Sequence, residues 1–365
     1  TSNDYTVYIE DIPANQLENW AMIQADRFSN PIFRIFHTEL ETVYEEKNTS
    51  LAKDSRKASE AMLSALFPNN PYGKQTTLGS CEHLKNPSLT NIKNFFNTYY
   101  VPNNMAVCLA GDFDYDEAIA IVDKYFGQLK SKEVPHYVIA KERPITTPIV
   151  REVSGREAEF VNVAFRLDLP ANSREMYIAE MLDNVMSNGR CGIIDLDVNQ
   201  KHLVNRASSY VYGLCDNSAY VLSGRPNKGQ TLEEVRDILL EQIAKLKNGE
   251  FDEALLQAAV NNIEARNMRQ LQSNRSRAYA MAGAFENNVD WYYASQELEF
   301  YKKVTKEDVV KFANRYFADN NYVVVFKRQG EPEETEKVTK PAITAIQMNR
   351  DAESDFFKSI KNNKV

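Results

Sequence analysis

Hydrophobic positions along this chain switch repeatedly between two spacings. Alternating or continuous apolar runs, the mark of strands, cover Tyr5 to Glu10, Met105 to Ala110, Ile149 to Val153, Phe160 to Leu167, Val204 to Tyr212, Ser218 to Gly224 and Tyr322 to Phe326. The three-to-four spacing of amphipathic helices covers Gln16 to Phe28, Arg34 to Asn48, Ser173 to Met186, Leu232 to Lys247 and Asp252 to Gln270. The pattern predicts an α+β fold.

Two self-similarities divide it. Asp11-Ile12-Pro13-Ala14-Asn15 matches Asp168-Leu169-Pro170-Ala171-Asn172, each after a strand-like run and before a helical one. The segment from Phe95 to Asn104 matches that from Phe312 to Asn321, each closing a helix and leading through Asn-Asn into a β-rich run. Two matches in the same order predict two related domains with antiparallel-rich sheets covered by helices. The second copy carries extra elements, for which the strand pair 204–212 and 218–224 and the two long helices are candidates. It also has strand-like sequence ahead of its first match, at Ile149 to Val153, whereas the first copy starts at Thr1. The first domain is therefore expected to be truncated at its N-terminus. The charged, Pro-bearing stretch Lys141-Glu142-Arg143-Pro144 sets the expected boundaries: 1–143 for the first domain and 144–330 for the second. Residues 331–365 form a charged linker and connector tail.

Composition narrows the function classes. The chain has 365 residues, 43% of them hydrophobic, enough for packed cores. A net charge of -8 with no basic block excludes a nucleic-acid footprint. No apolar stretch approaches the roughly 18–20 residues of a membrane span, and Thr1 to Thr6 has no signal-peptide character. Cys81, Cys108, Cys191 and Cys215 form neither a disulfide framework nor a zinc-ligand pattern, and read as ordinary thiols. His37, His83, His136 and His202 are far apart and read as surface or locally bonded side chains. There is no nucleophile elbow, and Gly189 and Gly192 read as turn glycines, not a phosphate cradle. Phe95, Phe96, Tyr99 and Tyr100 read as a helix face belonging to the core.

The helix Arg34 to Asn48 carries the candidate chemistry. Its apolar stripe is Phe36, Leu40, Val43 and Tyr44, and four glutamates share it: Glu39, Glu41, Glu45 and Glu46. Glu39 and Glu46 lie two turns apart on one face and border the stripe, so they are expected to meet a cation, a metal or donors. Glu41 and Glu45 are expected to point to water.

The run Ile12-Pro13-Ala14-Asn15, then Ala25-Asp26-Arg27-Phe28-Ser29-Asn30-Pro31, then Glu39 to Glu46, resembles the segment after the active site in pitrilysin/insulinase zinc metallopeptidases. The resemblance continues through Asn70-Pro71-Tyr72-Gly73, Leu78-Gly79, Tyr99 to Met105 and Ala110-Gly111-Asp112-Phe113, and reaches about Phe326. The tail, with Lys340-Pro341 and Met348 to Asp351, resembles the connector between the halves of long members. The resemblance implies the metallohydrolase fold typified by mitochondrial processing peptidase, and zinc-dependent endopeptidase action on peptides or unfolded polypeptides held between clamshell halves. It implies zinc held by two histidines of an inverted H-x-x-E-H motif and by a distal glutamate, whose motif glutamate serves as general base. By position the distal ligand maps onto Glu46, and a catalytic-site glutamate that helps hold the site maps onto Glu39.

The sequence departs from the family in one decisive way: it contains no H-x-x-E-H. Family spacing places that motif upstream of Thr1, and would make Thr1-Ser2 the remains of a substrate-pairing edge strand. The family's substrate-orienting Arg and Tyr find no match between Asn188 and Val204. The expected species is thus an N-terminal half, inactive alone, holding zinc weakly or not at all, with peptide as substrate and a C-terminal half or partner subunit completing the clamshell. The alternative is a non-catalytic peptide-binding or structural half that partners an active member. An unrelated α+β binding module would leave Glu39 and Glu46 in open solvent. The resemblance suggests a periplasmic or cell-envelope setting, with a cytoplasmic one open.

Overall fold

The computed structural model describes residues 1–85, 87–331, 347 and 349–362. Its first part is helical: Leu17–Ser29 (α1), Phe36–Leu51 (α2), Asp54–Leu66 (α3), Pro71–Lys74 (α4), Cys81–Lys85 (α5), Leu89–Tyr99 (α6) and Tyr115–Phe126 (α7). The second part interleaves strands and helices: Ile149–Gly155 (β1), Phe160–Leu167 (β2), Glu175–Met186 (α8), Arg206–Gly213 (β3), Ser218–Arg225 (β4), Leu232–Lys247 (α9), Ala254–Gln270 (α10), Asn274–Glu286 (α11), Trp291–Ala294 (α12), Glu297–Tyr301 (α13), Lys306–Tyr316 (α14) and Val323–Gln329 (β5). A last helix, Asp355–Asn362 (α15), lies in the tail. The fold is α+β, as the residue pattern predicts; the connector residues 332–346 and Met348 lie outside the described residues.

One five-stranded sheet runs in the order β1-β5-β2-β4-β3. β1 pairs parallel with β5, and the other neighbours are antiparallel. Strand alternation sends the two sets of side chains to opposite faces. Val161, Val163, Phe165, Leu167, Tyr220, Leu222, Val324 and Phe326 join the main core with residues of α8, α9 and α14. Ala164, Ala219, Val221, Val323 and Val325 face the other way and meet Ala58, Met62, Ala65 and Leu66 of α3. Those four α3 positions form one helical stripe. A helix from the first part of the chain thus covers the sheet of the second.

A buried ion pair fixes this junction. Asp54 opens α3 and Lys327 sits on β5; Lys327 Nζ is 3.0 Å from Asp54 Oδ2, and both side chains are almost wholly buried. Glu157 N–H donates to Asp54 Oδ2 (2.8 Å), and Lys327 Nζ donates to the carbonyls of Gly155 (3.1 Å) and Glu157. Burial pushes the Asp54 pKa up, but the Glu157 N–H and the Lys327 ammonium outweigh it and hold the carboxyl below its ordinary value. A Cβ on Gly155 would stand 1.9 Å from Asp54 Oδ1, so only glycine fits beside the pair.

The charged stretch expected to separate the domains is pinned down. Glu142 is buried and accepts from Asn69 N–H and Asn69 Nδ2, both at 2.8 Å, while Arg166 donates to the carbonyls of Leu66 and Arg143. These hydrogen bonds offset the cost of burying the two charges.

The expected strands Tyr5 to Glu10 and Met105 to Ala110 are not strands. Both run without ladder partners, leaving Tyr5, Tyr8, Ile9 and Val107 about 40% exposed or more. Their repeat counterparts in the second part are β2 and β5, which pair with each other and with β4 and β1 on their outer sides. Two strands alone are marginal in water, and among the described residues the first part offers no flanking strand. For the same reason α6 and α7 are poorly covered: Phe95 is 59% and Ile119 67% exposed. The aromatic face of α6 is therefore not core. Phe96 and Tyr100 stack at 4.3 Å, and Tyr100 meets Tyr8 and Phe28 in a half-buried cluster.

Candidate active site

Helix α2 begins after Ile35, which holds a left-handed backbone (φ 58°) costly for a β-branched residue. Its buried stripe is Leu40, Tyr44 and Lys47, with Phe36 and Val43 at the margin. Tyr44 donates its hydroxyl to the Leu84 carbonyl and fastens α2 to α5. The four apolar positions read from the sequence all face this contact.

Glu39 and Glu46 both lie in solvent. Neither side chain forms an ion pair or hydrogen bond among the described residues. Glu41 is the half-buried one, so the expectation that Glu39 and Glu46 border the buried face, with Glu41 turned to water, is reversed. Burial is deepest at Leu40 and Tyr44, on the side of Glu41, while Phe36 and Val43, on the side of Glu39 and Glu46, are only partly covered. A desolvation argument therefore does not single out this pair; the motif resemblance does. Their exposure is also what an unrelated binding module would show.

The four histidines are exposed, as expected, and none joins the glutamates. Among the described residues no cluster of three or more His, Cys, Asp or Glu side chains could hold a metal. Two solvent carboxylates without imidazole partners do not fit a zinc centre on their own. Cys108, Cys191 and Cys215 are free. No helix of the described residues is long and apolar enough to cross a membrane.

The Asn70-Pro71-Tyr72-Gly73 motif is structural. Asn70 caps α4 by accepting from Tyr72 N–H (3.0 Å), and Pro71 takes the first turn, where no N–H is required. The Tyr72 hydroxyl donates to Asp4 Oδ1 (2.6 Å), and burial followed by that carboxylate pushes its pKa far up. A Cβ on Gly73 would stand 2.2 Å from the Phe67 carbonyl oxygen.

A second acidic group went unnoticed in the sequence. On α8, Glu180 accepts from the Tyr301 hydroxyl, and Asp183 accepts from Ser209 Oγ (2.6 Å). Burial raises both pKa values, that of Asp183 to about 6. The two lie among the buried apolar positions of α8, and acids at i and i+3 there are the signal that could have found them.

Residues 88–263 match the Peptidase M16 inactive domain. The chain is 28% identical over 268 residues to the zinc protease PqqE of Helicobacter pylori, covering 70% of this chain and 58% of that protein. It is 23% identical over 287 residues to the uncharacterized zinc protease YmxG of Bacillus subtilis, covering 76% and 67%. A Helicobacter pylori protease crystal structure superposes with a TM-score of 0.78 at 22% identity, over 86% of this chain and 77% of that one. The first half of the periplasmic protease PqqL from Escherichia coli gives a TM-score of 0.70 at 13% identity, over 87% and 71%. The chain thus spans little more than half the length of the Helicobacter relative. With the α+β sheet, the ordered motifs and these matches agreeing, the chain is similar to M16 peptidases in sequence over residues 88–263 and in fold.

Proposed function

We propose that this chain is the part of a zinc metalloendopeptidase that supplies Glu46 as a metal ligand and Glu39 as its supporting carboxylate, with the histidines supplied by further polypeptide. The observation that carries this reading is the unequal fate of the repeated segments. In the second copy they become β2 and β5 inside a sheet; in the first copy the same segments lie extended and unpaired, beside open faces of α6 and α7. Added strands would satisfy that backbone and cover those faces. The zinc-protease names of the relatives support the chemistry. On this reading residues 1–143 belong to the catalytic domain and 144–330 to a non-catalytic copy, with a second half or subunit closing over a peptide. A cell-envelope setting accords with the periplasmic neighbour.

The match to an inactive domain favours a second reading, a non-catalytic half that binds peptide and partners an active subunit. The test joins the chain to the coding sequence upstream of Thr1 and assays cleavage of an unfolded polypeptide. An intact H-x-x-E-H with zinc-dependent cleavage is expected. A substituted motif with peptide binding and no cleavage overturns the enzyme reading in favour of the second.

A further inference from the structure

An open groove of about 540 Å³ lies between α8, α10 and the start of α11, lined by Arg190, Arg266, Arg269, Asn184, Asn262 and Gln270 among others. No acidic side chain lines it. This is unusual in a chain whose net charge is -8. Helical spacing puts Asn262, Arg266, Arg269 and Gln270 on one face of α10. Arg190 is held from the other side by its loop: Asp195 Oδ2 accepts from the backbone N–H groups of Asn188 (2.9 Å), Arg190 (3.1 Å) and Gly192 (3.0 Å). Gly189 turns that loop with φ 78°.

None of the three arginines forms an ion pair among the described residues. The Arg269 Nε donates to Ala265 O (3.0 Å), which orients its fork. The carboxylates that feel Arg266 are Glu180, Asp183 and Glu297. Each is engaged elsewhere, by Tyr301, Ser209 and Asn267 respectively. Burial raises the pKa of all three, that of Asp183 to about 6. Three permanently charged forks line this groove with no ion pair among the described residues, and such forks match planar oxyanions bidentately.

We propose that this groove binds an acidic peptide segment, its side-chain carboxylates on Arg190, Arg266 and Arg269. The amides of Asn184, Asn262 and Gln270 offer both donors and acceptors, which suits peptide bonds; a phosphate uses donors alone. The choice of peptide rests on the peptidase reading, so binding is measured without cleavage, which separates failure of one from failure of the other.

The test is fluorescence anisotropy on the full chain with two labelled, end-blocked probes, hexaglutamate and hexaglutamine. Hexaglutamate is expected to bind and hexaglutamine not, with affinity falling as salt rises. The exposed pair Arg266→Ala/Arg269→Ala should weaken hexaglutamate at least about tenfold. Arg190→Ala, in the loop, repeats the test should the double variant lose its fold. Equal binding of both probes, no binding, or no change in a folded variant overturns the proposal. Inorganic phosphate that binds there while hexaglutamate does not also overturns it.

Discussion

On the proposed enzyme reading, Glu46→Gln in a chain joined to an H-x-x-E-H segment is expected to lose stoichiometric zinc and at least about a hundredfold of its peptide hydrolysis. The melting temperature should hardly move. Glu46 is exposed and bonded to nothing described, and substitution at such a position changes stability by roughly 0.5 kcal/mol or less. The amide keeps size and polarity but loses the negative charge that a dication requires. Glu41→Gln on the same helix is the control, expected to retain zinc. Metal analysis with an activity assay on the two variants checks this. Retention of zinc and activity by Glu46→Gln removes Glu46 from the site.

Lys327→Met should cost about 3–5 kcal/mol in urea unfolding, because it leaves the Asp54 carboxylate buried without its cation. Changing both, Lys327→Met with Asp54→Asn, should recover part of the loss, since the uncompensated charge is gone. The pH dependence has a definite sign. The folded pKa of Asp54 lies below its unfolded value, so the pair's contribution is fully present above the ordinary carboxylate range. It is lost as pH falls through the depressed folded value. The gap between wild type and Lys327→Met should therefore narrow in acid. A Lys327→Met variant as stable as wild type at neutral pH would show that the α3–sheet junction is held by apolar contact alone.

Much of the second part was legible because it is locally consistent. The bounds of α9 and β2 coincide with their periodic runs, where the Thr231/Glu234 capping box and the strand alternation agree with the core. The runs at 5–10 and 105–110 misled because alternation records a capacity to pair, and pairing needs neighbours. On α2, a helical wheel places Glu39 and Glu46 at the edge of the apolar stripe, but the contact with Leu84 buries Leu40 and Tyr44 most deeply, on the side of Glu41, and no hydropathy pattern reveals that. Long-range pairs such as Asp54 with Lys327 and Tyr72 with Asp4 have no sequence signature, because packing brings them together across the fold. The proposal of Glu39 and Glu46 as site residues rests only on the order of family motifs around them.

The central claim is that this chain holds carboxylate ligands and lacks the imidazoles. It is tested most directly by metal analysis of the 365-residue chain itself after equilibration with equimolar zinc and gel filtration. Less than about 0.1 zinc per chain is predicted, since two solvent-exposed carboxylates do not make a tight site. Close to one tightly held zinc per chain, lost on Glu46→Gln, would contradict it.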